Sequence, residues 1–196
     1  MATDGFPLSP QQRHLWLRQE AERGLPYSAQ CTVLIEGPLD TKLLEAALQT
    51  VFARHEIFRT TFSGLRGATG PFQVIAASST PSLDIHDLRG REPHRQEAAL
   101  ESLYQASCEF PFDRDHGQSA HVSLATLSVD KHMLFVALSV LCADRATLTL
   151  LVRELSRCYS ACLRGETLTD VALQYADVAQ WENELLESAD TQSGSE

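Results

Sequence analysis

Ala120-His-Val-Ser-Leu-Ala-Thr-Leu127 and His132-Met-Leu-Phe-Val-Ala-Leu-Ser-Val140 are two apolar stretches of similar length, separated by the polar segment Ser128-Val-Asp-Lys131. Their length and their content of valine, leucine and phenylalanine are typical of β-strands. Because only four residues connect them, we expect the two strands to lie side by side and antiparallel. The sequence therefore predicts a sheet that contains this pair.

The segments on either side of the pair alternate between helical and strand-like patterns. Helices are predicted at 10–23, 41–55, 92–109, 147–163 and 175–186, strands at 30–36, 58–62 and 72–76, and a short strand or loop at 82–88. Ser9 followed by Pro10 suits the start of the first helix, and Asp40 or Thr41 suits the start of the second. This order predicts the α/β class, an α+β sandwich with helices packed on a mixed, mainly antiparallel sheet.

Composition excludes several classes of function. The chain has 196 residues, of which 43% are hydrophobic and 21% charged, as expected of a globular protein, and its formal net charge is −10. Such a charge argues against nucleic-acid binding, because phosphates need a basic surface. The longest apolar stretch, 133–143, is too short to cross a membrane, and no secretory signal opens the chain. We expect a cytoplasmic protein without a membrane or nucleic-acid partner.

The five cysteines point to neither disulfides nor zinc. Their number is odd, and no two of them have the C-x-x-C spacing of a metal or redox site. We expect them to be reduced and mostly buried.

Four segments carry a family resemblance. They are Phe6-Pro-Leu-Ser-Pro-Gln-Gln-Arg-His-Leu-Trp16, Arg54-His-Glu-Ile-Phe-Arg-Thr-Thr-Phe62, Phe112-Asp113 and Gln174-Tyr-Ala-Asp-Val-Ala-Gln-Trp181. In this order and spacing they resemble the motifs of the condensation domains of nonribosomal peptide synthetases. The second is a near-complete copy of R-H-E-x-L-R-T-x-F. The resemblance extends from Phe6 to about Leu186.

The resemblance has implications for architecture and partners. Condensation domains consist of two lobes, each similar to chloramphenicol acetyltransferase, and complete domains are more than twice as long as this chain. Residues 1–187 would then be an N-terminal lobe, and residues 188–196 a flexible tail leading toward a C-terminal lobe. The implied partners are peptidyl or aminoacyl carrier proteins, an adenylation domain and the C-terminal lobe. No cofactor is expected to bind directly, since substrates would arrive on phosphopantetheine arms of the carrier proteins.

The third family motif, H-H-x-x-x-D-G, is degenerate in this chain. It corresponds to Ser139-Val-Leu-Cys-Ala-Asp-Arg145, so Ser139 and Val140 take the two histidine positions and Arg145 takes the glycine position. In the family the second histidine lies beside the thioester-bound substrates and orients or deprotonates the attacking amine. Valine has neither a lone pair nor an exchangeable proton, so Val140 can do neither. The long side chain of Arg145 would occupy space in the substrate tunnel.

The remaining residues of the motif have alternative interpretations. Cys142 is either a buried thiol or, if a base activates it, a nucleophile for acyl transfer, and Ser139 is a second candidate. The family resemblance implies a structural salt bridge from Asp144 to Arg54, with Arg59 as the second choice. The heterocyclisation motif D-x-x-x-x-D-x-x-S fits only in part, because Ser139 stands at its first aspartate.

Two functions follow from these patterns. The first is a catalytically inactive condensation lobe that acts as a structural or carrier-protein docking module. The second is an atypical acyltransferase or condensation enzyme that uses Cys142, Ser139 or residues of the absent lobe. A basic cluster of Arg89, Arg91 and Arg95 is either a contact for an acidic carrier protein or a solvated surface.

Overall fold

The computed structural model describes residues 5–22, 27–64, 70–78, 81–112 and 119–193, and within the helix and strand ends it describes no side chains at 63–64 and 189–193. The helices are α1 (Pro10–Glu22), α2 (Thr41–Arg54), α3 (Pro93–Cys108), α4 (Arg145–Arg164) and α5 (Tyr175–Ser193). The strands are β1 (Gly5–Pro7), β2 (Ser28–Glu36), β3 (Thr60–Gly64), β4 (Pro71–Ile75), β5 (Leu83–Asp87), β6 (Ala120–Ser128) and β7 (Lys131–Ser139).

The larger sheet has the strand order β2-β7-β6-β5. Strands β6 and β7 form the predicted antiparallel hairpin, with Ser123 opposite Phe135, and the register shifts between Thr126 and Ser128. Strand β2 pairs antiparallel with β7, whereas β5 runs parallel to β6. The predicted mixed, mainly antiparallel sheet with helices on it is confirmed.

Alternating side chains of β7 divide the core between the two faces of the larger sheet, because successive residues of a strand point to opposite sides. Leu134, Val136 and Leu138 pack into the main cluster, which helices α2 and α4 cover. Phe135 points the other way, into a smaller cluster with residues of α3. The larger sheet is therefore sandwiched between α2 and α4 on one side and α3 on the other.

A second, three-stranded sheet has the order β1-β4-β3. The sequence predicted a single sheet, and strand β1 was not predicted at all, since three residues are too few to give a periodic pattern. Phe6 of β1 lies opposite Gln73 of β4. A small apolar cluster of Leu8, Phe62, Leu141 and Cys142 connects this sheet to the end of β7.

Two element boundaries differ from the prediction. Phe58, expected in a strand, lies in a short 3₁₀ turn (Glu56–Arg59), where its ring stacks on Phe52 and is buried, and the strand begins at Thr60. Helix α5 continues to Ser193, seven residues past its predicted end at Leu186. No glycine or proline interrupts the chain before Gly194, so nothing in the local sequence stops the helix. The division between lobe and tail at residue 187 stays a prediction.

Candidate active-site loop

Residues 140–144 form the loop that joins β7 to α4, and with Ser139 and Arg145 on either side they make up the segment that was predicted to be the degenerate motif. The carbonyl of Ser139 accepts hydrogen bonds from the backbone N–H groups of Cys142 (2.9 Å) and Ala143 (3.0 Å), which closes a tight turn. Leu141, Cys142 and Ala143 are buried. The loop is thus fixed by its own backbone and by apolar packing.

Ser139 faces inward. Its backbone N–H donates to the carbonyl of Ser119 (2.9 Å), and its hydroxyl oxygen accepts from the backbone N–H of Leu141 (3.4 Å). The residue is only 5% exposed. Its hydroxyl therefore contributes to the structure of the turn.

Val140 is half-buried directly after β7, and the sequence predicts that it takes the place of the family's second histidine. Its backbone N–H donates to the carbonyl of Tyr27 (3.2 Å), which ties the loop to the residue before β2. The scaffold around this position is in place, but the side chain has no group that accepts or donates a proton.

Cys142 packs in the small apolar cluster with Leu8, Phe62 and Leu141. Burial raises the pKa of its thiol to about 12, because the thiolate would lose its hydration there. At neutral pH the group is therefore almost entirely the neutral thiol, which is a poor nucleophile. This environment speaks against Cys142 as an acyl-transfer nucleophile.

Asp144 is exposed and caps helix α4, which corrects the predicted buried salt bridge. One carboxylate oxygen accepts from the backbone N–H (2.8 Å) and the hydroxyl (2.7 Å) of Thr147. These hydrogen bonds, that from the backbone above all, lower the pKa of the carboxyl group. The side chain turns back toward its own helix, as an N-cap residue does.

Arg54 forms its ion pairs elsewhere. Its guanidinium contacts Glu154 (3.0 Å) and Asp170 (3.0 Å), and Arg157 binds the same two carboxylates at 3.1 and 2.7 Å, so that four charges alternate in a closed ring. Glu154 lies ten residues beyond Asp144 on α4, about 15 Å along the helix. The prediction of an Arg54–Asp144 pair was wrong because α2 ends against the middle of α4 and not against its beginning.

Arg59, the second predicted partner of Asp144, is also engaged elsewhere. Its guanidinium binds the carboxylate of Glu56 (3.1 Å) and the carbonyl of Ala76. Since both partners lie beside the 3₁₀ turn and the end of β4, Arg59 holds the small sheet against this turn. Arg145 is exposed at the start of α4, and no ion pair joins it to any residue in the described ranges.

The loop between β7 and α4 is held to helix α1 by a buried hydrogen-bond network that the sequence did not predict. Gln12 of α1 is 3% exposed, and its side-chain N–H groups donate to the carbonyl of Leu141 (3.0 Å) and to the amide oxygen of Gln73 (3.4 Å). Its own amide oxygen accepts from the backbone N–H of Ser9 (3.0 Å), while the Ser9 hydroxyl accepts from the Gln12 N–H (3.2 Å). This reciprocal pair is a capping box, and the Ser-x-x-Gln spacing was the signal that could have indicated it.

The same network reaches two further segments. The side chain of Gln73, 1% exposed, donates to the carbonyl of Pro7 (2.9 Å), and the hydroxyls of Ser9 and Tyr175 are 2.9 Å apart. Residues of the first motif, of the 140–144 loop and of the motif that contains Tyr175 therefore meet at one buried site next to the loop. No local sequence pattern distinguishes Gln73 from an exposed glutamine of a strand.

An open cavity of about 500 Å³ lies beside α4, between that helix, the end of α2 and the segment before α5. Apolar residues such as Ile57, Phe58 and Leu151 line it, with the ion-pair ring at one side. His55 also lines the cavity, and burial lowers the pKa of its imidazole despite the nearby Glu154 carboxylate.

The described ranges hold neither a metal-binding cluster nor a membrane-spanning helix. Within them no group of three or more His, Cys, Asp or Glu residues is arranged to hold a metal ion. In the same part of the chain no helix is long and apolar enough to cross a membrane. Asp113, which belongs to the third family resemblance, lies outside the described residues.

Comparison with known proteins places the chain in a family. The family profile described as condensation domain matches residues 2–196. Chondramide synthase cmdD of Chondromyces crocatus is 33% identical over 184 residues, which cover 92% of the chain and 5% of that synthase. Gramicidin S synthase 2 of Brevibacillus brevis is 28% identical over 187 residues, 95% of the chain and 4% of the synthase.

Solved structures give the same result. The X-domain from teicoplanin biosynthesis, determined in complex with OxyB, is 30% identical to the chain with a TM-score of 0.81, over 98% of the chain and 41% of the X-domain chain. A starter condensation domain of rhizomide synthetase has the same fold, with a TM-score of 0.84 at 22% identity, over 94% of the chain and 42% of that chain. This chain spans about two fifths of these solved domains and about one twentieth of the synthases. With the predicted chloramphenicol acetyltransferase-like fold confirmed by these neighbours, the chain belongs to the condensation-domain family.

Proposed function

We propose that the chain is the N-terminal lobe of a condensation domain that does not form amide bonds and acts as a structural or docking module within a peptide synthetase. The observation that carries this proposal is Val140 at the end of β7. The loop around it is closed by ordinary hydrogen bonds and buried packing, so the position is well formed but has no proton-transferring group. An intact loop that lacks the proton-transferring side chain favours a binding role over a catalytic one.

The similarity to the X-domain supports the docking part of the proposal. That protein was determined in a complex with OxyB, so a relative with 30% identity assembles with another protein. For this chain the partners we propose are carrier proteins bearing phosphopantetheine arms, and neighbouring synthetase domains. Substrates would remain attached to the arms, and the lobe itself would hold no cofactor.

The alternative is an atypical acyltransferase. Two observations speak against a catalytic centre within this lobe: the buried Cys142 thiol has its pKa raised to about 12, and the Ser139 hydroxyl is occupied by the turn. An enzyme of this kind would have to take its catalytic groups from the second lobe.

A turnover experiment on the complete domain separates the two functions. Donor and acceptor carrier proteins, both loaded with aminoacyl groups, are incubated with the natural domain and with a Val140→His variant, and dipeptide is measured by mass spectrometry. We expect no product from the natural domain and intact binding of carrier protein. Product formation by the natural sequence would refute the inactive module. If that activity survived Cys142→Ala and Ser139→Ala, it would also place the catalytic groups in the second lobe.

A further inference from the structure

Helix α4 has an unusual charge distribution for this chain. The whole protein has 16 Lys and Arg against 26 Asp and Glu, yet α4 alone has four arginines and a single acidic residue, Glu154. Glu154 is largely buried in the ion-pair ring with Arg54 and Arg157. The exposed surface of α4 is therefore basic, although the protein as a whole is acidic.

Two of these arginines have no ionic partner in the described part of the chain. Arg157 binds Glu154 and Asp170, and Arg164 binds Glu166, but Arg145 and Arg153 take part in no ion pair there. They are eight residues apart, about 12 Å along the helix axis and about 80° around it, and both lie on the exposed part of the helix surface. Their nearest acidic neighbours in sequence are both engaged elsewhere: Asp144, beside Arg145, is bound to Thr147 as the helix cap, and Glu154, beside Arg153, belongs to the ion-pair ring.

Between these arginines the helix exposes a large apolar side chain. Leu150 is 61% exposed and lies at the edge of the 500 Å³ cavity, which Arg153 also lines. Leu173, on the opposite edge, is 78% exposed. We call the surface formed by Arg145, Leu150, Arg153 and Leu173 the α4 ridge. It combines unpaired positive charge with an apolar opening that can receive a side chain.

We propose that the α4 ridge is the docking surface for an acidic protein, whose carboxylates bind Arg145 and Arg153 while one of its apolar side chains enters the cavity beside Leu150. Charge complementarity selects this partner, because two exposed guanidinium groups without internal partners attract carboxylates and repel basic surfaces. This proposal rests on the proposed docking function, and it identifies the surface of the lobe that would bind the partner. In the competing basic cluster of Arg89, Arg91 and Arg95, Arg89 is already paired with Asp87.

The test measures binding of a purified, acidic holo peptidyl carrier protein from the same producing organism to the isotope-labelled chain, by NMR titration and calorimetry at low and high salt. The variants are Arg145→Glu, Arg153→Glu and Leu150→Ser. Arg95→Glu is the matched control for charge, because Arg95 is also an exposed helical arginine. Leu163→Ser is the control for apolar surface, since Leu163 is on the same helix with 59% exposure.

We expect Arg145→Glu and Arg153→Glu to raise the Kd about 3- to 10-fold at low salt, the range of one or two exposed charge contacts, and this effect should shrink as salt is added. Leu150→Ser should raise the Kd by about the same factor at low and high salt, because it removes apolar burial and no charge. The control variants should leave the Kd within about 2-fold. The α4 ridge would be refuted as the docking surface if the ridge variants bound as tightly as the natural chain, or if Arg95→Glu alone weakened binding. Either outcome would leave the docking function itself intact. No binding by the natural chain would refute the docking function, and the ridge with it.

Two other occupants of the ridge are distinguished by the same variants. If the variants change the sedimentation of the chain alone and not its affinity for carrier protein, the ridge is a contact between copies of the chain. If the complete domain fails to bind while the lobe binds, the second lobe covers the ridge. Either result would overturn the proposal.

Discussion

Replacing Gln12 with leucine removes the amide that supports the motif loop from below while nearly preserving side-chain volume. The substitution strands the carbonyl of Leu141 and the backbone N–H of Ser9, which the Gln12 side chain binds at 3.0 Å each, and it also removes the longer 3.4 Å hydrogen bond to the amide oxygen of Gln73. Since Gln12 is 3% exposed, water does not readily replace the amide. A buried polar group left without a partner costs about 1–3 kcal/mol, so two of them cost about 2–6 kcal/mol.

We expect the lower half of that range, because the leucine adds apolar burial that offsets part of the loss. The measurement is urea unfolding followed by circular dichroism and by fluorescence of Trp16, which lies one turn farther along α1. The transition midpoint should fall while its denaturant slope stays constant, as for a change in native-state stability. Hydrogen exchange should increase at residues 139–144 before it increases in β7.

Gln11→Leu is the matched control for this prediction. It is the same chemical change on the adjacent residue of α1, but Gln11 is exposed and its side chain forms no hydrogen bond with any residue in the described ranges. We expect it to change stability by less than about 0.5 kcal/mol, as surface substitutions do. The reasoning would be refuted if the two variants had the same stability, or if loop exchange were unaffected by Gln12→Leu.

Three further predictions test the loop and its surroundings. Asp144→Ala should lower the free energy of unfolding by about 0.5–2 kcal/mol, the contribution of a helix N-cap. Asp144→Asn should keep most of that stability, because its amide oxygen still accepts the hydrogen bond from the Thr147 N–H. The Asp144 contribution should disappear as the pH falls below about 4, since its pKa is lowered in the folded state. Equal losses for alanine and asparagine in urea unfolding would instead indicate a salt bridge. Cys142 should resist iodoacetamide at pH 8 in the native protein and react in urea, as read by peptide mass spectrometry, because burial raises its pKa to about 12. Rapid native labelling would contradict this. Burial also lowers the pKa of His121, whose ring stacks on Phe110. As the pH falls, the His121 imidazole is protonated in the unfolded chain before it is protonated in the folded chain. The free energy of unfolding should therefore decrease as the pH is lowered from about 7.5 to about 5.5. His121→Phe should reduce that decrease, and an unchanged pH dependence would refute the assignment.

The sequence predicted those helices, strands and caps that are determined by residues close to one another along the chain. The β6–β7 hairpin, the cap expected at Asp40 or Thr41 and found at Asp40, and the helix expected at 147–163 and found at Arg145–Arg164 all depend on the identity and spacing of neighbours along the chain. The sequence also shows valine at position 140, where the family resemblance implies the second histidine, and this correspondence stays a prediction. A strand of three residues, such as β1, has no such signal.

The ion pairs and the polar network depended on how the elements pack. Arg54 was expected to pair with Asp144, yet the angle and offset of α2 against α4 place it beside Glu154 and Asp170. Gln12 and Gln73 are as polar as any exposed glutamine in the sequence, and only the meeting of α1, β4 and the motif loop makes them buried partners. A charge or an amide has no preferred partner along the chain, so its role is determined when distant segments come within about 3 Å. The sequence was therefore sufficient for the family and for most of the elements, and the loss of the histidine stays a prediction from it. The tertiary structure determined which polar groups hold the loop and which arginines of α4 have no ion pair within the described residues.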